Sequence, residues 1–211
     1  MNHTKEEFFE TESTNYYTVF ADILFSLLLL FIFFLVYQFF ANRETSQHLI
    51  VKSKQSQFLE VFQKEFDGEI KKGLVHWDID GNIQRLSFGE KLLFNLGDVD
   101  LNLEGQKILD RCVKVFEEFA NEKKIYKRIQ VEGHTCDAPI NPNGRLWYMG
   151  VKDNWSLSAV RSLNVVRYLI GNSHLPPILF SGTGYSYFQG QPGKLYKNRK
   201  IEIVIIYSTD I

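Results

Sequence analysis

Apolar and polar positions fall into three rhythms along the chain. From Tyr16 to Phe40 the residues are almost all apolar, and after Asp22 no charge appears until Arg43. A run of that length meets the ~20 residues an α-helix needs to cross a bilayer core. It is too long for the apolar region of a cleaved leader. It also lacks a basic start, and it ends on bulky Tyr37-Gln38-Phe39-Phe40 instead of a small-x-small site. The expectation is a retained transmembrane helix over 16–41, behind a short polar tail over 1–15 in which Glu6, Glu7, Glu10 and Glu12 face Lys5 alone.

The second rhythm covers 42–67. Phe58, Leu59, Val61, Phe62 and Phe66 recur there at helical spacing among polar residues. This predicts an amphipathic helix leaving the membrane: a linker, a plug or a dimer helix. The third rhythm, over 68–211, is that of a folded domain, and roughly 140 residues suffice for one sizeable core.

Within that domain, Leu74–Ile79 and Ile83–Phe88 flank Asp80-Gly81-Asn82 as a hairpin, and Leu92-Leu93-Phe94 follows. Glu104–Ala120 has Ile108, Leu109, Cys112, Val115, Phe116 and Phe119 on one helical face. Ile125–Glu132 alternates as a strand, His134–Asp153 reads as a polar loop, and Leu157–Ile170 as a second helix. Pro176-Pro177 breaks the chain before a short strand at Ile178–Phe180. A glycine-rich loop spans Ser181–Gly193, and Ile201–Tyr207 closes as a strand. The order β-β-α-β-α-β-β predicts an α+β domain, a mixed sheet with helices on one face.

Composition then narrows the function. A net charge of −1 gives no footing for nucleic acid. Two cysteines, Cys112 and Cys136, are too few for a disulfide framework or a metal centre; two free thiols and no metal are expected, with a single disulfide open to an extracytoplasmic domain. No Gly-x-Ser-x-Gly, His-Glu-x-x-His or phosphate loop occurs, so no enzyme is expected and no cofactor is called for. His134 reads as a structural residue at a strand end.

Asp22 is the costly position. An acid within an apolar span costs about 2.5–3.5 kcal/mol on insertion scales and usually marks an ion or proton path. Ser26, one turn on, adds an oxygen to the same face.

Four segments carry a family resemblance: Val131-Glu132-Gly133-His134-Thr135-Cys136-Asp137, Asn154-Trp155-Ser156-Leu157-Ser158-Ala159-Val160-Arg161, Gly182-Thr183-Gly184 and Asn198-Arg199-Lys200-Ile201-Glu202-Ile203. Together they resemble the GHTD, NxxLSxxRA, GxG and NRRVEI motifs of OmpA-like peptidoglycan-binding domains. With the acid-bearing span, the chain resembles the B subunits of ion-driven stator motors, which include MotB, PomB and the ZorB component of antiphage systems.

The resemblance implies a single-pass protein of the bacterial inner membrane, with its N-terminus in the cytoplasm and its C-terminal domain in the periplasm. It implies a homodimer inside a ring of MotA-like A subunits, five A to two B, with Asp22 and Ser26 binding translocated H+ or Na+. It also implies a peptidoglycan site at Asn154, Leu157, Arg161, Asn198 and Arg199. The family acid falls on Cys136, so either Asp137 serves in its place or the site binds more weakly. Either flagellar or defence motors, or a passive wall anchor, fit these motifs. Arg43, Lys52 and Lys54 after the span, against Lys5 before it, favour the reverse orientation by charge alone.

Overall fold

A computed structural model describes residues 3–120, 125–188 and 199–209, with side chains described from Tyr16 onward except those of 44–46 and 48. The elements run α1 (His3–Glu65), α2 (Asp67–Lys71), β1 (Val75–Asp80), β2 (Ile83–Gly89), α3 (Glu90–Leu93), α4 (Leu103–Ala120), β3 (Tyr126–His134), α5 (Arg145–Tyr148), α6 (Asn154–Asn172), β4 (Phe180–Gly184) and β5 (Lys200–Tyr207). They form two compact units, Met1–Gln47 and His48–Ile211.

The first unit is helical. Its stretch Tyr16–Arg43 is long and apolar enough to cross a membrane, and its most apolar window is exposed among the described residues. A helix suits that solvent because its backbone donors and acceptors are all satisfied within the segment.

The second unit is built on a five-stranded sheet in the order β1-β2-β5-β3-β4. All pairings are antiparallel except β3 with β4. The parallel pair is joined by a crossover that carries α5 and α6, as parallel strands require. Strand alternation sends Leu86 and Phe88, Ile129 and Val131, and Ile201, Ile203 and Ile205 into one core with α4 and α6. The opposite face carries Arg85, Ser87, Glu132, His134, Lys200 and Glu202. This is the α+β architecture the sequence predicts.

Four details differ from the pattern-based expectation. The C-terminal unit starts at His48, not at 68. Phe58, Phe62 and Phe66 are fully buried in its core: Phe58 stacks on Phe116 at 5.9 Å, and Phe62 and Phe66 meet Phe88 at 6.3 and 5.9 Å. Gln55 Nε2 also donates to Gly81 O at 3.1 Å. The apolar stripe of 58–66 is thus core of this unit. Second, Leu92 and Leu93 belong to α3, and Phe94 bridges Leu101. Third, the strand expected at Ile178–Phe180 lies further on, at Phe180–Gly184, after a 3-10 turn at Pro177–Leu179. Its glycines read as a loop, but they serve packing. A side chain on Gly133 or Gly184 would collide with the α6 backbone at Ser158 and Ala159, so glycine lets that helix lie directly on β3 and β4. Fourth, α6 begins at Asn154, three residues before the expected Leu157, with Asp153 as its cap. Asp153 Oδ1 accepts from the Ser156 N–H at 2.6 Å.

A candidate ligand cleft

The strand ends of β3 and β5 meet the start of α6 and of α3 around a cleft of about 360 Å³. β3 delivers Thr135 and Cys136 just past its last residue, and the residue before β5 is Arg199. α6 supplies Asn154, Leu157 and Arg161, one helical face by their three- and four-residue spacing, and α3 supplies Glu90.

Arg161 is only 3% exposed. Its Nη2 lies 2.7 Å from Glu90 Oε1, its Nε donates to Asp98 O at 2.9 Å, and its guanidinium sits 5.1 Å over the Phe94 ring. Arg199 Nε approaches the other Glu90 oxygen at 3.3 Å. Glu90 therefore stands between two guanidiniums, and the trio keeps a net positive charge. Burial pulls Arg161 below the ordinary arginine value while the Glu90 carboxylate opposes it. Arg145 lines the same cleft and spans Asp98 and Asp100, at 2.8 Å to each. An anion, above all a carboxylate, is the charge such a wall receives best.

Asn154 Nδ2 donates to Ala138 O at 3.0 Å and pins the 138 loop to the helix start. Leu157 packs with Val99, Leu146 and Val151 in a small apolar cluster. Of the residues the motifs single out, Asn154, Leu157, Arg161 and Arg199 come together on the cleft. Asp137 does not join them: it is exposed and outside the lining, and Cys136 takes the wall position. Asn198 lies outside the described residues. Asp22 and Ser26 belong to the first unit, one turn apart on α1. Both thiols are free, Cys112 buried and Cys136 half-buried.

Glu90 is the cleft-lining residue that pattern reading misses. It follows a strand at the head of a one-turn helix, where an acid looks like an ordinary surface residue. Only the fold brings it to Arg161.

Residues 93–200, just over half of the chain, match the OmpA family, and the chain belongs to that family. No curated protein matches it. Among solved structures it is similar to a MotB-like protein from Desulfovibrio vulgaris, with 23% identity and a TM-score of 0.63 over 77% of this chain and 99% of that one. It is similar to the cell wall anchor of the T6SS from Pseudomonas aeruginosa, with 18% identity and a TM-score of 0.55 over 69% and 96%. The periplasmic domain of Helicobacter pylori MotB is also similar, at 22% identity and a TM-score of 0.54 over 64% and 82%. The fold of the second unit is thus that of MotB-like proteins.

Proposed function

We propose that this chain is the peptidoglycan-binding B subunit of an ion-driven stator. Its first unit crosses the bacterial inner membrane once, and its second unit grips the cell wall from the periplasm. The observation that carries the reading is the pairing of one acid, Asp22, inside an apolar span with an OmpA-family unit whose cleft is cationic.

The chemistry follows from each unit in turn. In lipid alone Asp22 would be destabilising. Enclosed by MotA-like A subunits, it takes up a proton or pairs with Na+, and Ser26 offers a further oxygen. In the cleft, a stem-peptide residue with both a carboxylate and an ammonium places its carboxylate at the α6 N-terminus and the guanidiniums of Arg161 and Arg199. Cys136 offers no charge to the ammonium, and Glu90, the acid among the described lining residues, is already held between Arg161 and Arg199, so the carboxylate contact carries the binding.

The decisive experiment is co-expression with a four-span partner, imaging of the complex and measurement of ion flux. Five A subunits around two copies of this chain, with flux lost in Asp22→Asn, is the expected result. Full flux in Asp22→Asn would sink the ion role. A lone dimer that holds peptidoglycan without a partner would support the second reading, a passive wall anchor, which the likeness to the T6SS anchor favours. Whether the motor turns a flagellum or serves antiphage defence is decided by which process fails in a deletion strain.

A further inference from the structure

On the sheet face away from the core lies a second group of buried charges, separate from the cleft. Glu132 and His134 project from the same face of β3, and Glu202 stands opposite Glu132 in the β3–β5 ladder. All three are at most 8% exposed. His134 Nε2 lies 3.3 Å from Glu202 Oε2 and 3.9 Å from Glu132 Oε2. Yet that nitrogen makes no hydrogen bond of proper geometry. A buried nitrogen facing two carboxylate oxygens without a well-formed hydrogen bond is reason to ask what it is aimed at.

The other carboxylate oxygens are already engaged. Ser87 Oγ and Lys200 Nζ donate to Glu202 Oε1 at 2.7 and 2.6 Å, and Gln130 Nε2 donates to Glu132 Oε1 at 3.1 Å. The Tyr185 ring stacks on the imidazole at 5.5 Å and fixes its plane. What remains is one oxygen from each glutamate and one ring nitrogen, all within 4.8 Å of one another. Tetrahedral zinc with bonds of about 2.0–2.2 Å holds its donors ~3.3–3.5 Å apart. The 3.3 Å separation already meets that spacing, and the 3.9 Å one meets it after a shift of a few tenths of an ångström. Arg85 Nη1, at 3.3 Å from Glu132 Oε2, is a long contact and leaves that oxygen a second lone pair.

We propose that Glu132, His134 and Glu202 form a binding site for a first-row divalent cation of the zinc type, with water as the remaining ligand. The imidazole favours such an ion over Mg2+ or Ca2+. Bound there, the ion ties β3 to β5 at the ends that hand Thr135 and Cys136, and Arg199, to the cleft wall. It is a structural clamp on the cleft, and it replaces the strand-end role that sequence alone assigns to His134.

The test uses the full-length chain in detergent, stripped with a chelator and titrated with Zn2+ against a chromophoric competitor. One Zn2+ per chain is expected, together with a higher melting temperature. His134→Asn and Glu202→Gln should each weaken binding at least ~100-fold, beyond the usual loss of about 10–100-fold for outer-shell changes. Co2+ should give a tetrahedral visible spectrum without a thiolate charge-transfer band. Lack of stoichiometric binding, binding unchanged in both variants, or a thiolate band would each overturn the site. Should the His134 variant fail to fold, zinc-edge X-ray absorption on the unmodified chain decides. One imidazole among nitrogen and oxygen ligands supports the site, and sulfur or several imidazoles refute it.

Discussion

The two units use apolar residues in opposite ways. From Tyr16 to Phe40 large apolar side chains stand exposed, whereas from Val51 onward they close on one another, and Phe58, Phe62 and Phe66 are fully buried. The first unit therefore borrows its solvent: lipid or a partner must cover what it leaves open. The second supplies its own. The same contrast governs the acids. Asp22 has only the helix around it, while Glu90, Glu132 and Glu202 sit in walls of cations and hydroxyls that the fold brings from distant strands. The proposed ion role falls in the borrowed part and the proposed wall-binding role in the self-contained part.

Cutting at the boundary tests this contrast with the largest effect. A fragment from His48 to Ile211 keeps the phenylalanine row and should fold cooperatively. A fragment beginning at Gly68 loses Phe58, Phe62 and Phe66, each worth about 3–5 kcal/mol when removed from a core. Their sum is comparable with the whole ~5–15 kcal/mol stability of a domain, so the shorter fragment should be unfolded. Circular dichroism with thermal melts separates the two. A stable, cooperative 68–211 would show that the helix merely rests on the domain. The burial of these rings also argues against residues 58–66 lying on a membrane as a plug while the core is intact.

Next come the charges. Arg161→Ala removes a buried partner of Glu90 and should cost about 3 kcal/mol, read by chemical denaturation, along with retention on peptidoglycan sacculi. Asp22→Asn should leave the melting of the second unit unchanged while removing ion flux. If Arg161→Ala left stability untouched, its guanidinium would be free for ligand and the Glu90 pair of little account.

Much of this was open to sequence reading, and the failures share a cause. The span, the hairpin at Gly81, α4 and α6 follow from local periodicity, which is a property of neighbours. Asn154, Leu157 and Arg161 were findable as one helical face. Glu90 was not, because its meaning lies in Arg161 and Arg199, brought near only by the sheet. The start of the second unit was misplaced for a similar reason: Phe58, Phe62 and Phe66 show a helix with one apolar face, but not which surface covers it. The strand Phe180–Gly184 hid behind its glycines, whose absent side chains are packing for α6 and not slack in a loop.

The glycines under α6 are the next point of strain. Gly133→Ala places a methyl against Ser158 on α6, so the helix must lift from β3. A loss of about 1–3 kcal/mol is expected, with weaker wall binding, since α6 carries Arg161 and Asn154 into the cleft. Equal stability in denaturant titration would mean that α6 can shift without penalty.

The smallest effect lies where α1 ends and α2 begins. Arg111 on α4 reaches Glu69 Oε1 at 2.6 Å and Glu65 Oε1 at 3.0 Å, donates to the Glu65 carbonyl, and covers the Phe66 ring at 4.2 Å. Its hydrogen bond to Glu69 holds that carboxyl below the usual glutamate value, against a smaller opposing push from burial. A carboxyl depressed in the fold contributes stability above its unfolded value of about 4.3, and that contribution fades as pH falls through the lower folded value. The pair is partly open to water, so its worth is about 0.5 kcal/mol. Melting of the 48–211 fragment at pH 6 and pH 3 should therefore show the unmodified chain losing slightly more than Glu69→Gln. Identical losses would mean that the cation on Phe66, rather than the ion pair, fastens the helix end to α4. In that case Arg111→Ala, which removes both, should still lower the melting temperature at pH 3.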